Sequence, residues 1–312
     1  MRKLASFDLV VLGYFGILTA MVLAVRPPGT ALYLGAHASV AGLLALVVAA
    51  HARFGGRFWT FCRYWYIVPV VLGSFRELHF LIPAIHPFDD HRMDRALAAI
   101  DRRWFGDVDA FFLGLLRPGL TDLLHVCYWF YFVSMLVPGG VLYARGELAK
   151  LREYTSVVLS GMYVSYLGYF AVPAVGPHHF FESRPAVLDG WIGGTMHRLL
   201  LDLELRTADA FPSGHALMSM IVIGLAWRFT PGATFRAVLV PALGCIVATV
   251  ALRYHYLVDV LASAALLPGV FWLGRAVHRV WEAAPRGGAG GGPAGFRIPD
   301  SGFRPPTSSP PR

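Results

Sequence analysis

The chain has 312 residues, of which 56% are hydrophobic and only 15% charged, and its mean hydropathy is +0.55. This composition excludes an ordinary soluble domain and predicts a protein of membrane helices. The net charge is +8, but the basic residues lie in short segments between apolar runs, so we expect no nucleic-acid partner. Three cysteines in or beside apolar segments argue against a disulfide framework or a thiolate metal site.

Eight apolar stretches approach the length of about 20 residues that a membrane-crossing helix needs. They are Phe7–Val25, Ala31–Ala50, Tyr64–Ile85, Leu120–Tyr143, Tyr154–Val172, His215–Phe229, Ala237–Leu252 and Tyr256–Gly274. The sixth and seventh are short and the third carries charges, so the sequence predicts an all-α bundle of about six to eight spans. The first is too long for the core of a cleaved signal, and we expect it to be retained.

Basic residues cluster in five places, and with eight spans all five lie on one side of the membrane. The clusters are Arg2/Lys3, Arg53/Arg57/Arg63, Arg145/Lys150/Arg152, Arg228/Arg236 and Arg275/Arg279. The positive-inside rule makes that side cytoplasmic, so we expect both termini there, at the inner membrane if the protein is bacterial. The segments His86–Gly119 and Pro173–Gly214 then face the extracytoplasmic side.

The sequence predicts three parts: an N-terminal transmembrane hairpin (1–60), a membrane domain (61–282) and a Gly/Pro/Ser-rich tail (283–312). The tail cannot bury a core, and we expect it to be disordered. Residues 93–117 place apolar side chains at helical spacing, with most charges elsewhere: Leu97, Ile100, Trp104, Phe111 and Leu115. This predicts an amphipathic interfacial helix, broken near Gly106.

The stretch FPSGHALMSM begins one of the predicted membrane helices. Ser213 is expected as the N-cap, and Gly214 leaves the first amide groups unobstructed, so that they attract an anion such as phosphate. His215, in the first turn, can donate a proton to an oxygen of that anion. The alternative is a helix cap followed by an interfacial histidine, and the motif alone leaves both open.

A second polar group lies in LRYHYLVDVLA, at the start of the last span. His255 and Asp259 are four residues apart, so on a helix they share one face. The carboxylate can hold one imidazole nitrogen and leave the other free to attack, as covalent catalysis requires. Arg253 supplies a permanent cation for phosphate oxygens. The alternative is an interfacial histidine with a buried carboxylate, although an unpaired carboxylate inside a span is costly.

PSGH followed some 40 residues later by a membrane-edge H-x-x-x-D resembles the type 2 phosphatidic acid phosphatase superfamily. The resemblance implies that His255 is the nucleophile forming a phosphohistidine, that Asp259 orients it, and that His215 protonates the leaving oxygen. It also implies that Ser213 and Gly214 bind phosphoryl oxygens. The family requires no metal or other cofactor.

Two cations of the superfamily pattern are missing or moved. Arg184 matches the arginine of the K-x6-R-P motif, but the lysine position is Pro177. The Ser-Arg positions of S-R-x5-H-x3-D are Ala248 and Thr249, and an arginine occurs instead at Arg253. In this the chain resembles the branch of inositol phosphorylceramide synthases and sphingomyelin synthase-like transferases. The resemblance covers residues 173–267.

The resemblance implies an integral membrane lipid phosphatase that hydrolyses a lipid phosphate or diphosphate ester. One alternative is a phosphotransferase that moves a phospho-head group from a phospholipid to a lipid alcohol such as a ceramide. The other is a non-enzymatic membrane protein that retains the fold. The sequence leaves the head group, the lipid chain and the oligomeric state open.

Five further polar residues are candidates for the substrate cavity. Arg76, Glu77 and His79 lie within the third span, where charged groups are costly. They line a cavity or pair with one another near the interface. His178 and His179 lie in the segment that leads to PSGH, where they contact a head group or belong to a solvated loop.

A rival site is the cluster His86, Asp89, Asp90, His91 and Asp94. Such side chains hold divalent cations, and Asp-rich faces beside a membrane handle diphosphates in prenyltransferases. The spacing DDHRMD differs from the usual D-D-x-x-D, and no second Asp-rich motif faces it. We therefore expect a solvated turn and no metal.

Overall fold

The structure is a computed structural model that describes residues 4–86, 91–181, 183–203 and 208–283. The predicted tail from residue 284 onward lies outside these ranges, as do Arg2, Lys3, Asp89 and Asp90.

The described part of the chain is all-helical, as predicted, and contains no strand. Its helices are α1 (Ser6–Val25), α2 (Thr30–Phe54), α3 (Gly56–Trp65), α4 (Ile67–Ile85), α5 (Arg92–Phe105), α6 (Val108–Leu115), α7 (Pro118–Ser134), α8 (Leu136–Ala144), α9 (Leu148–Ala171), α10 (Pro177–Phe180), α11 (Gly193–Leu203), α12 (Gly214–Phe229), α13 (Ala233–Ala251) and α14 (Leu257–Ala283). A 3₁₀ turn, Ala186–Leu188, lies between α10 and α11.

Within the described ranges, five helices are long and apolar enough to cross a membrane, and six if the bent pair α6 and α7 is one span. Each of the eight predicted spans contains a helix, but α9 and α12 do not satisfy the same criterion. The helix α12 has only 16 residues, and α9 carries charges and hydroxyls. Both are largely surrounded by other helices, so they do not need a fully apolar surface.

The helix α9 lies at the centre of the bundle, where α1, α12 and α14 pack against it. Small residues permit close contact there. A side chain at Gly168 would meet the ring of Pro212, because the built Cβ position lies 2.3 Å from Pro212 Cδ. A glycine in α9 therefore allows the PSGH segment to pack directly on the central helix.

The segment predicted to be interfacial forms two helices, α5 and α6, and α5 ends at Phe105, just before Gly106, where the break was predicted. The buried face of α5 differs from the predicted apolar stripe. It carries Asp94 and Asp101 together with Leu97, whereas Trp104 is 67% exposed. The two carboxylates are buried because they accept backbone hydrogen bonds from the segments that hold the candidate catalytic residues.

Asp94 accepts from the backbone N–H groups of Val175 and Gly176, at 3.1 and 2.9 Å, and from the hydroxyl of Tyr256. Asp94 belongs to the rival metal cluster, and its carboxylate joins the segment before α10 to the turn before α14. His86 donates from Nε2 to the carbonyl oxygen of Phe170 at 2.9 Å, which fixes the end of α4 against α9.

Candidate active site

His255 lies in the turn between α13 and α14 and is 5% exposed. Its Nδ1 atom is 2.8 Å from the carbonyl oxygen of Ala210. A carbonyl oxygen only accepts, so Nδ1 carries the proton. In the neutral ring the lone pair is therefore on Nε2, which is the tautomer that a nucleophilic histidine needs.

Asp259 lies one helical turn after His255 and is fully buried. Its Oδ2 atom is 3.7 Å from Nδ1 of His255 and accepts from the backbone N–H of Tyr256 at 2.8 Å. The two groups lie close together, as the spacing predicted, although His255 lies in the turn before α14 and only Asp259 is on the helix. The atom in direct hydrogen-bond contact with the imidazole is, however, the Ala210 oxygen. The Asp259 carboxylate lies farther from Nδ1 and acts on the imidazole through its negative charge.

His215 lies in the first turn of α12 and faces His255, with 5.8 Å between the ring centroids. Two tyrosines of α7 contact its ring: Tyr128 stacks on it at 4.3 Å, and Tyr131 lies at 4.1 Å. The Tyr128 hydroxyl is 3.4 Å from Nδ1, whereas Nε2 has no hydrogen-bond partner among the described residues. The aromatic contacts thus fix the ring and leave Nε2 for another group.

The predicted N-cap is confirmed, because the Ser213 hydroxyl accepts from the backbone N–H of Ala216 at 3.2 Å. Ser263 further fixes the cap by donating to the Ser213 carbonyl oxygen at 2.8 Å. Gly214 has a packing reason to lack a side chain. A Cβ atom there would be 2.3 Å from the hydroxyl oxygen of Tyr169 in α9.

An apolar cavity of about 340 Å³ opens beside the two histidines. Its wall contains His215, His255 and His178, the carboxylate residue Asp209, and apolar side chains of α4, α7 and α9. The volume lies in the range typical of small-molecule sites. A lipid chain fits the chemistry of such a wall.

A second, smaller pocket of about 140 Å³ lies on the other side of His255, against α5 and α6. It is more polar than the first cavity, because Asp101, Asp107, Asp109 and Arg253 are part of its wall, and it is termed the polar pocket below. Arg253 donates from Nε and Nη2 to the two oxygens of Asp109, at 2.5 Å each, and from Nη1 to a backbone carbonyl. His255 therefore borders an apolar and a polar space at once.

Two predicted phosphate-binding or cavity residues lie away from both spaces. Arg184 pairs with Asp189 at 3.1 Å and donates to the carbonyl oxygen of Leu188. The His179 ring contacts the His178 ring at a tilt, with 4.0 Å between centroids, but His179 is not among the residues lining the apolar cavity. His178 does line it, and enclosure by the protein, with neighbouring imidazoles, holds its pKa well below the usual range. It is therefore neutral at pH 7.

The three predicted cavity residues of α4 lie outside the apolar cavity. Its wall takes Val71, Leu72 and Phe75 from this helix, but not Arg76, Glu77 or His79. Glu77 instead forms a 2.7 Å hydrogen bond with His37 of α2. His79 bonds through Nδ1 to the carbonyl oxygen of Phe75.

Sequence reasoning missed several groups that shape the site. Tyr128 and Tyr131 come from a helix more than 80 residues before PSGH, and Ala210 acts through its backbone. Asp101 accepts from the backbone N–H groups of Leu257 and Val258, at 2.7 and 2.9 Å, and so caps α14 beside the catalytic turn. Asp101 could have been noticed as a charged residue within a predicted amphipathic helix. No local sequence pattern identifies Tyr128, Tyr131 or the Ala210 carbonyl group.

The family model described as the PAP2 superfamily matches residues 95–273, more than half of the chain. The match contains PSGH, His255 and Asp259 and leaves α1 to α4 outside. No curated protein and no solved structure matches the chain.

Proposed function

The chain belongs to the PAP2 superfamily of phosphatases and phosphotransferases, and from this premise we propose that it cleaves a lipid phosphoester through a phosphohistidine at His255. The observation that carries the proposal is the hydrogen bond from His255 Nδ1 to the Ala210 carbonyl oxygen. It leaves Nε2 as the nucleophilic atom, opposite His215 and at the wall of an apolar cavity.

In the proposed first step, Nε2 of His255 attacks phosphorus and the bond from phosphorus to the lipid oxygen breaks. His215 gives its proton to that oxygen, and the lipid alcohol remains in the apolar cavity. The new N–P bond leaves positive charge on the imidazole, which the Asp259 carboxylate stabilises from 3.7 Å. At the start of α12, the Gly214 amide and the Ser213 hydroxyl bind phosphoryl oxygens, because the Ser213 backbone N–H already donates to the Asp259 carbonyl oxygen.

In the second step water attacks phosphorus, His215 takes the proton of that water, and the N–P bond breaks. Phosphate leaves and His255 returns to its starting tautomer. Dividing the displacement in this way is the usual advantage of covalent catalysis, because each barrier is lower than that of direct hydrolysis.

The test is phosphate release from a panel of lipid phosphates and diphosphates in detergent with EDTA. We expect release by the wild type, loss of at least about 10³-fold in His255→Gln, and normal release by His51→Gln, a matched change at the far end of α2. An acid-labile, base-stable phosphoenzyme should form in the wild type. Equal activity of His255→Gln and wild type refutes the mechanism, as does activity that EDTA abolishes. A non-enzymatic protein would show no release in any of the three.

A specific observation favours transfer as the second candidate function. His255 borders both the apolar cavity and the polar pocket, and a phosphodiester carries an organic group on each side of phosphorus. Asp109 already neutralises Arg253, which suits a monoanionic diester better than a dianionic monoester. An acceptor alcohol would then replace water, as the resemblance to inositol phosphorylceramide synthases suggests. Product formation from a phospholipid and ceramide, without phosphate release, is its test.

We further propose that the site faces the extracytoplasmic side. The described basic clusters lie at the helix ends opposite to His215 and His255, which supports this orientation through the positive-inside rule. Labelling of a cysteine introduced at exposed Trp191 by a membrane-impermeant reagent in intact cells tests it.

A further inference from the structure

The helix α4 separates two cavities. One face lines the apolar cavity of the active site, and the opposite face lines an open space of about 370 Å³ bordered by α1, α2 and α4, here termed the hairpin groove. Its wall takes residues from all three helices, among them Phe15 of α1, Leu32 and Leu43 of α2, and Gly73 and Glu77 of α4. All of it lies in the first 94 residues, outside the family match.

The wall of the groove is mostly apolar, and at Glu77 it connects to a chain of hydrogen bonds. The Thr19 hydroxyl donates to the carbonyl oxygen of Phe15 at 2.7 Å and lies 2.8 Å from Nδ1 of His37. Nε2 of His37 lies 2.7 Å from Oε1 of Glu77. The His37 and Glu77 side chains are only 5% and 10% exposed.

This geometry decides what the pair offers to a ligand. The Thr19 hydroxyl has one proton, which it gives to Phe15, so Nδ1 of His37 must donate to Thr19. The contact from Nε2 to Glu77 is then either imidazolium to carboxylate or a protonated carboxyl donating to a neutral ring. The pair is neutral in both cases, and in both the second oxygen of Glu77 is an acceptor.

The depth of the pair restricts the ligand further. Glu77 lies eight residues before the end of α4 and His37 seven after the start of α2, about 12 and 10 Å along the helices. A phosphate head group at that depth would lose its hydration, whereas a hydroxyl loses much less. The ligand that best matches the Glu77 acceptor and the apolar wall is therefore an uncharged lipid with a hydroxyl donor and an apolar chain.

We propose that the hairpin groove binds a neutral lipid alcohol, whose hydroxyl donates to Glu77 and whose chain lies along α2 and α4. This site is separate from the catalytic cavity, because the two lie on opposite faces of α4. The proposal does not depend on the phosphoester chemistry, and its test measures no turnover.

The test is photo-crosslinking of purified full-length protein in detergent with dioleoylglycerol that carries a diazirine in one acyl chain. Labelled peptides are then mapped by mass spectrometry. We expect labels on α2 between Leu32 and Leu43, distinguishable from labels on α7 and α9 at the catalytic cavity. Unlabelled dioleoylglycerol should compete, whereas its O-methyl ether, which lacks the donor, should compete about tenfold less well.

Variants test the position of the ligand and the role of the acceptor. No heavy atom lies within 4 Å of a Cβ built at Gly73, so Gly73→Leu fills the groove without a clash and should reduce α2 labelling at least tenfold. Gly42→Leu, at an equally open position of α2 outside the groove wall, is the matched control and should label normally. Glu77→Met should lose labelling, and Glu77→Gln should keep it, because an amide oxygen still accepts.

Two results would overturn the proposal. If the O-methyl ether competes as well as the alcohol, the hydroxyl is not recognised. If Gly73→Leu labels α2 like Gly42→Leu while eluting as a folded protein, the lipid does not occupy the groove.

Discussion

Substitution of Gly214 by alanine tests whether this glycine serves packing or phosphate binding. The Cβ atom would lie 2.3 Å from the Tyr169 hydroxyl oxygen but 3.7 Å from the next ring atom, Cζ, which is ordinary contact. Only one atom therefore obstructs the alanine. We expect Gly214→Ala to destabilise the protein by about 1–3 kcal/mol, as overpacking of a dense core does.

Tyr169→Phe removes the obstructing atom, so the double variant should recover most of that loss. The measurement is a double-mutant cycle of thermal unfolding in detergent, with a coupling energy of about 1–3 kcal/mol favouring the pair. Phosphoester turnover of the same four proteins adds a second comparison. Additive effects on stability would refute the packing argument, and loss of activity in the stable double variant would show that Gly214 must be bare for the phosphoryl group.

Three further predictions concern buried titratable side chains. Asp8→Asn should cost about 3–5 kcal/mol, because it leaves the buried Arg63 guanidinium without its carboxylate; a shift in thermal unfolding below 1 kcal/mol would contradict this. Burial lowers the pKa of His197 from 6.5 to about 4. The free energy of unfolding should therefore fall by up to about 3 kcal/mol as the pH drops from ~6.5 to about 4, because the unfolded chain binds the proton first. His197→Asn should flatten that part of the unfolding profile, and an unchanged profile would disprove the assignment. Asp101→Asn keeps one acceptor oxygen for the cap beside His255 and should lower kcat several-fold with little change in KM; a change in KM alone would contradict a positioning role.

The helices and the motifs were predictable because local information specifies them. Apolar length predicts where a helix forms in a membrane protein, and every predicted span contains one. The Ser213 cap and the break at Gly106 were also predictable, since capping and glycine act within a few residues. The burial of two carboxylates in α5 was not predictable, because the N–H groups that satisfy them belong to distant loops.

The pairing of side chains within the site was not predictable in the same way. The sequence places Arg76, Glu77 and His79 within one span, but which face of α4 meets the cavity depends on how α4 packs against α9. Arg253 is a cation in any conformation, and its bidentate contact with Asp109 arises only when α6 folds over the catalytic turn.

By itself, the sequence determined an all-helical membrane protein with two histidine motifs, because hydrophobic length and short-range spacing are local properties of the chain. Only the tertiary structure decided which nitrogen of His255 is free, which aromatic rings hold His215, and that α4 separates two cavities. Each of these depends on contacts between residues far apart in the chain, and such contacts are decided when the helices pack together.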